Sequence, residues 1–139
     1  MLTELIAAAP RVYVIGNGGS YANASHFVTD LLAVGVRAFT LDPAALSMLA
    51  NDYGWEAAFA MWLEVVAEPG DLLIALSGSG KSRNILKAVE AAEMIGMTVW
   101  KEFGADHNLD MQAAEEGQIH LGHVVRQQLA RRRVTDDRW

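Results

Sequence analysis

Cysteine is absent from this chain, which rules out disulfides and thiol catalysis and fits a reducing compartment. Basic residues are few: eleven Lys and Arg stand against seventeen Asp and Glu, a formal charge of −6. That balance excludes a general nucleic-acid or membrane-surface binder, and the one basic cluster, Arg131-Arg132-Arg133, reads as a solvated helix end. No apolar run is long enough to cross a bilayer, and no signal-peptide pattern, internal repeat or low-complexity stretch is present. Proline occurs only three times, at Pro10, Pro43 and Pro69, each where a segment begins or ends. The expectation is a soluble cytoplasmic protein. Its 139 residues, 52% of them hydrophobic, suffice for one domain over 1–139 with a sizeable core.

What is present alternates between two patterns. Val12 to Ile15, Val36 to Leu41, Leu72 to Leu76 and Thr98 to Phe103 read as strands, the first and third as continuous apolar runs buried on both faces. Between them lie helix patterns over Tyr21–Ala33, from Pro43 to about Leu49, from Trp55 to Val66, and over Ser82–Ile95. Met1 to Ala9 is a short helical stub. Asn51-Asp52-Tyr53-Gly54 reads as a loop, Gln118 to Leu121 as a short fifth strand, and Val124 to Arg133 as a short helix. Alternation of this kind predicts right-handed crossovers and an α/β fold: a three-layer, doubly wound parallel sheet in the flavodoxin-like order 2-1-3-4-5.

Two glycine–serine loops carry the chemistry. Gly16-Asn17-Gly18-Gly19-Ser20 follows the first strand, and Ser77-Gly78-Ser79-Gly80-Lys81-Ser82 follows the third. Each places backbone N–H groups at a helix N-terminus, where donors and dipole both favour an anion. In the expected strand order these loops flank the topological switch point, so topology and composition select the same cleft. Neither loop completes a nucleotide fingerprint. Tyr21 stands where the dinucleotide motif needs its third glycine, and Ala75 where a Walker A loop needs its first. The serines instead point to a cradle for a phosphorylated small molecule, with Lys81 as an added cation.

Gly16-Asn17-Gly18-Gly19-Ser20, His26-Phe27, Asn51-Asp52-Tyr53-Gly54, Gly70-Asp71-Leu72-Leu73 and Ser77-x-Ser79-Gly80-x-Ser82 occur in that order between Val12 and Phe103. In order and spacing they resemble the sugar isomerase (SIS) domain family, and within it the phosphoheptose isomerase branch. The resemblance implies a single SIS domain with shortened N- and C-terminal helices. It also implies a sedoheptulose 7-phosphate-type substrate, with the phosphate on Ser77, Gly78, Ser79 and Ser82 and Ser20 close by. Asn17, Gly18, Gly19, Asn51 and Asp52 would contact the sugar. The family places a histidine and, four residues on, a glutamate on the first helix after the strand, a pair that can bind zinc. Here they are His26 and Asp30, one methylene shorter, and i, i+4 spacing puts both on one helix face.

The implied reaction is aldose–ketose isomerisation through an enediol, with proton transfer by His26, Asp30, Asp52 and a further histidine; no cofactor is required, and His26, Asp30 and His123 are the residues that can bind a zinc ion. Two alignments place the further histidine. One puts His123 on a C-terminal helix. The other puts His120 and His123 on the fifth strand and its exit, with Gln127 or Gln128 near a family glutamine, and suits the sixteen residues that follow His123. The resemblance further implies a homo-oligomer, dimer or tetramer, with Trp55 and Trp62 on apolar faces available to an interface. A non-catalytic SIS module, binding a sugar phosphate as a regulator or protein adaptor, is the alternative.

Overall fold

The computed structural model describes residues 1–133. Four parallel strands, β1 (Val12–Ile15), β2 (Ala38–Phe39), β3 (Leu72–Ser77) and β4 (Thr98–Phe103), lie in the order β2-β1-β3-β4. Val12 pairs with Ala38 on one side and with Leu72 on the other, and Leu72 pairs in turn with Thr98. Six α-helices accompany them: α1 (Leu2–Ala8), α2 (Gly19–Ala33), α3 (Pro43–Tyr53), α4 (Ala58–Val66), α5 (Arg83–Ile95) and α6 (Met111–Arg133).

Strand side chains alternate between faces, and the two faces build two cores. Val12, Val14, Leu72, Ile74 and Leu76 face α1, α2 and α6, where they meet Ile6, Phe27, Leu31, Val125 and Leu129. Tyr13, Ile15, Leu73 and Ala75 face α3, α4 and α5, against Phe59, Leu63, Ile85 and Val89. The result is the expected three-layer, doubly wound arrangement, with β1 and β3 central and both glycine–serine loops at their C-terminal ends.

Local signals behave as their chemistry dictates. Asp42 accepts from the N–H groups of Ala44 and Ala45 at 3.0 and 3.2 Å, capping α3 ahead of Pro43. Gly96, at φ +93°, ends α5 in the left-handed region. Helix α3 runs further than the sequence pattern, through Asn51, Asp52 and Tyr53 to Gly54, so those residues form its last turn rather than a loop. Trp55–Ala57 is a single 3-10 turn leading into α4.

The C-terminal part corrects the sequence reading. There is no fifth strand among the described residues, so the order is 2-1-3-4, not 2-1-3-4-5. Gln118 to Leu121 lies inside α6, and Val124 to Arg133 is the second half of that same 23-residue helix. The expected short C-terminal helix is therefore long. Asp110 accepts from the Ala113 N–H at 2.8 Å to start it. Its buried stripe is Ala114, Gln118, Gly122, Val125 and Leu129, spaced every three or four residues. A glutamine and a glycine in that stripe hide the helical period, leaving a four-residue alternation that imitates a strand.

Candidate active site

Both loops are held by close backbone packing. At Gly16 a Cβ would stand 2.5 Å from the Ser20 carbonyl oxygen, so only glycine lets α2 start so near the strand. Asn17 and Asn84 join the loops through two reciprocal amide hydrogen bonds, both 2.8 Å. Asn84 is buried at the start of α5, and its Oδ1 also accepts from the Ile85 N–H. Asn84→Ala leaves the Asn17 amide without this partner, so it is expected to cost about 1–3 kcal/mol of stability. It should also weaken binding of inorganic phosphate; a thermal-shift titration measures both.

Between the loops lies a cavity of about 60 Å³ lined by Asn17, Ser20, Ser77, Gly78, Ser79 and Ser82, with Leu76 and Met111 as its apolar parts. Three of the hydroxyls accept hydrogen bonds from behind. Ser77 Oγ takes the Gly80 N–H at 3.0 Å, Ser79 Oγ the Lys81 N–H at 3.1 Å, and Ser20 Oγ the Gln118 amide at 3.1 Å. Ser82 precedes α5 but makes no side-chain cap bond. With acceptor sites used this way, the hydroxyl protons remain to be donated, which suits an anion. Lys81 is exposed and does not line the cavity.

Gly18 and Gly19 do not line the cavity, and the Glu115 carboxylate of α6 lies so close to Gly19 that any side chain there would collide with it. A carboxylate thus already faces the first residue of α2. Tyr21 turns away, donating to the Leu41 carbonyl at 2.5 Å; burial, with Asp42 nearby, pushes its phenol above the usual range.

Helices α2 and α6 run side by side in the same direction, and a second constellation lies between them. Asn23 donates to the Gln118 side chain and the Glu115 carbonyl, Phe27 packs on Gly122, His26 meets His123, and Asp30 meets Arg126. His26 and His123 bring their Nε2 atoms within 3.2 Å of each other. Both imidazoles are half exposed, at 53% and 51%, whereas the Asp30 side chain is 2% exposed. Its Oδ1 accepts from Arg126 at 2.7 Å. Its Oδ2 has no hydrogen-bond partner and lies 3.3 Å and 3.9 Å from the two imidazole nitrogens.

This orphaned, buried oxygen beside two converging imidazoles is a donor set that fits zinc. The three ligand atoms lie within 4.8 Å of one another. Nitrogens on one tetrahedral zinc ion sit about 3.3 Å apart, given Zn–N bonds of about 2.0–2.1 Å.

The residue pattern that carries these sites also decides the relationship. The SIS domain pattern matches residues 1–100, from α1 through the middle of β4. The phosphoheptose isomerase of Campylobacter concisus is 32% identical over 142 residues, covering 89% of this chain and 75% of that protein. The chain belongs to the SIS domain family. Within that family it falls in the phosphoheptose isomerase branch: the phosphoheptose isomerase of Mycobacterium bovis is 35% identical over 135 residues, covering 85% and 69% of the two chains. The solved phosphoheptose isomerase of Francisella tularensis superposes with a TM-score of 0.85 at 25% identity, covering 94% of this SIS chain and 83% of the other.

The remaining sequence candidates divide. His120 is exposed on α6 outside the histidine cluster, and Gln128 bonds Thr3 on α1 instead of reaching the site. Asn51 and Asp52 bond each other at 3.0 Å on the exposed last turn of α3 and do not line the cavity. Sequence reasoning missed Asn84, Glu115, Gln118 and Arg126. Only their helical spacing from recognised residues could have signalled them.

Proposed function

We propose that this SIS protein is a phosphosugar isomerase of the phosphoheptose type, converting sedoheptulose 7-phosphate to its aldose through an enediol. One observation carries the reading: α2 runs from the hydroxyl cavity, which it enters through Ser20, to the histidine cluster, which sets the two at a fixed separation. Ser20 and His26 are six residues apart on α2, about 9 Å along the axis at about 1.5 Å per residue. In an extended heptose phosphate, phosphorus and the C1–C2 bond are also roughly 8–10 Å apart, given C–C bonds of about 1.5 Å. A triose phosphate would be too short to reach both.

In this reading the phosphate sits on Ser77, Gly78, Ser79 and Ser82, with Ser20 donating from α2. Asn17, Gly18 and Gly19 contact the sugar, with Asn51 and Asp52 as its outer polar pair. A base takes a proton from C1 while the C2 carbonyl oxygen gains one, giving the enediol. O1 then loses its proton and C2 receives one, leaving the aldehyde. The half-exposed His26 and His123 are the groups placed to move these protons, with the buried Asp30 carboxylate beside both imidazoles. His26, Asp30 and His123 would also hold a zinc ion, which when bound supplies a Lewis acid for the carbonyl and enediolate oxygens.

The protein is further assigned to the cytoplasm; no helix among the described residues is long and apolar enough to cross a membrane. It acts as one SIS unit over residues 1–139 and as a homo-oligomer. An open apolar groove of about 670 Å³, lined by Phe39, Met48, Tyr53, Met61, Trp62 and Val65, is the surface assigned to subunit contact.

The test incubates the purified protein with sedoheptulose 7-phosphate, with and without Zn²⁺, and follows the aldose by NMR. Turnover in either condition is expected. Saturable binding of the sugar phosphate with no turnover in both would overturn the isomerase and leave the regulatory module.

A further inference from the structure

We propose that Gln118 is the positioning residue of the anion cavity. It sets the direction of the Ser20 hydroxyl proton and so ties phosphate binding to α6, the helix that carries His123. The inference rests on the cavity being a phosphate site.

Gln118 is 2% exposed and Ser20 is 3% exposed, so neither faces bulk solvent. Asn23 Nδ2 donates to Gln118 Oε1 at 2.9 Å, which fixes the orientation of the Gln118 amide. The amide N–H₂ must then face Ser20, and Nε2 donates to Ser20 Oγ at 3.1 Å. A hydroxyl that accepts from one side has its proton directed elsewhere, and Ser20 lines the cavity. Gln118 therefore makes Ser20 a donor toward a bound anion. The other cavity hydroxyls receive such support from their own loop: Ser77 from Gly80 and Ser79 from Lys81. Ser20 alone among these three depends on a distant element. Gln118 and His123 are five residues apart on one helix, so a phosphate that draws on Ser20 also favours the docked position of α6.

A double-mutant cycle read by binding of inorganic phosphate tests this, using calorimetry or ³¹P NMR on the full chain. Ser20→Ala removes one hydrogen bond to a charged group, a loss of about ten- to hundredfold in affinity. Gln118→Met, which keeps the volume but cannot donate, should produce a similar loss. The double variant should lose no more than Ser20→Ala alone, because Gln118 acts through Ser20. Two results overturn the proposal: phosphate binding by Gln118→Met at wild-type affinity, or losses that multiply in the double variant, as a purely structural glutamine would give. Should Gln118→Met fail to fold, Gln118→Glu keeps the shape and the oxygen that accepts from Asn23, and replaces the donor facing Ser20 with an acceptor. Its negative charge repels the anion in both backgrounds, so this variant is read by comparison: a loss that shrinks when Ser20 is absent supports the role, and a loss undiminished in the Ser20→Ala background overturns it. If the wild-type chain itself does not bind inorganic phosphate, the phosphate reading fails and this inference with it. Binding with an additive cycle defeats the role of Gln118 alone.

Discussion

Asp30→Asn is expected to lower isomerase turnover by about 10²- to 10⁴-fold, the range for loss of positioned acid–base chemistry. The substitution is isosteric, and Asn Oδ1 still accepts from Arg126, so the fold should survive. What disappears is the negative charge on Oδ2, the buried atom that faces both imidazole nitrogens without a hydrogen bond of its own. Without it, the imidazole pair loses the carboxylate beside it, and the metal donor set loses its anionic member. Binding of inorganic phosphate should be unchanged, because the cavity between the loops contains no part of Asp30. Asp30→Glu, by contrast, should retain activity. Steady-state kinetics beside a phosphate titration decide the matter, and an Asp30→Asn variant keeping more than a tenth of wild-type turnover would refute the role.

Phe27→Ala should be the most damaging single change to the fold, costing about 3–5 kcal/mol. The ring is 1% exposed within the core formed by α1, α2, α6 and the sheet. It lies where a Cβ on Gly122 would come within 3.3 Å, so α6 was brought close through the absence of a side chain at that position. Removing the ring opens a cavity that α6 cannot fill without moving, since its neighbours His123 and Arg126 are tied to α2. Against a total stability of about 5–15 kcal/mol, much of the folded population is at risk on mild heating. Urea denaturation gives the value directly, and a loss below about 1 kcal/mol would mean that the two helices are not joined through this contact.

The strands and loops were legible because they combine continuous apolar runs with glycine and serine at the strand ends, signals that survive within a few residues. Ser20, Ser77, Ser79 and Ser82 sit where that grammar puts them. His26, Asp30 and His123 do converge, but through a helix the sequence disguised: Gln118 and Gly122 interrupt its apolar stripe. Asn84 and Gln118 were invisible for a related reason. A buried amide satisfied by another amide leaves no periodic trace, since its value depends on a partner 67 or 95 residues away. Asn51 and Asp52 misled in the other direction, because a helix end marked by Gly54 looks like a loop until its hydrogen bonds are known.

The parallel contact of α2 with α6 has a consequence for the order of assembly. Every cavity residue except Met111 lies between positions 17 and 82, within the sheet and its first crossovers. The histidine pair instead closes a span of 97 residues and exists only once α6 has docked. Partial unfolding that releases α6 would leave Ser77, Ser79 and Ser82 in place to hold an anion, more weakly without Gln118 behind Ser20, but would leave nothing to act on it. In native-state hydrogen exchange, amides of α6 should therefore open before those of β1 and β3. The capacity to bind and the capacity to react are separable in time within one molecule.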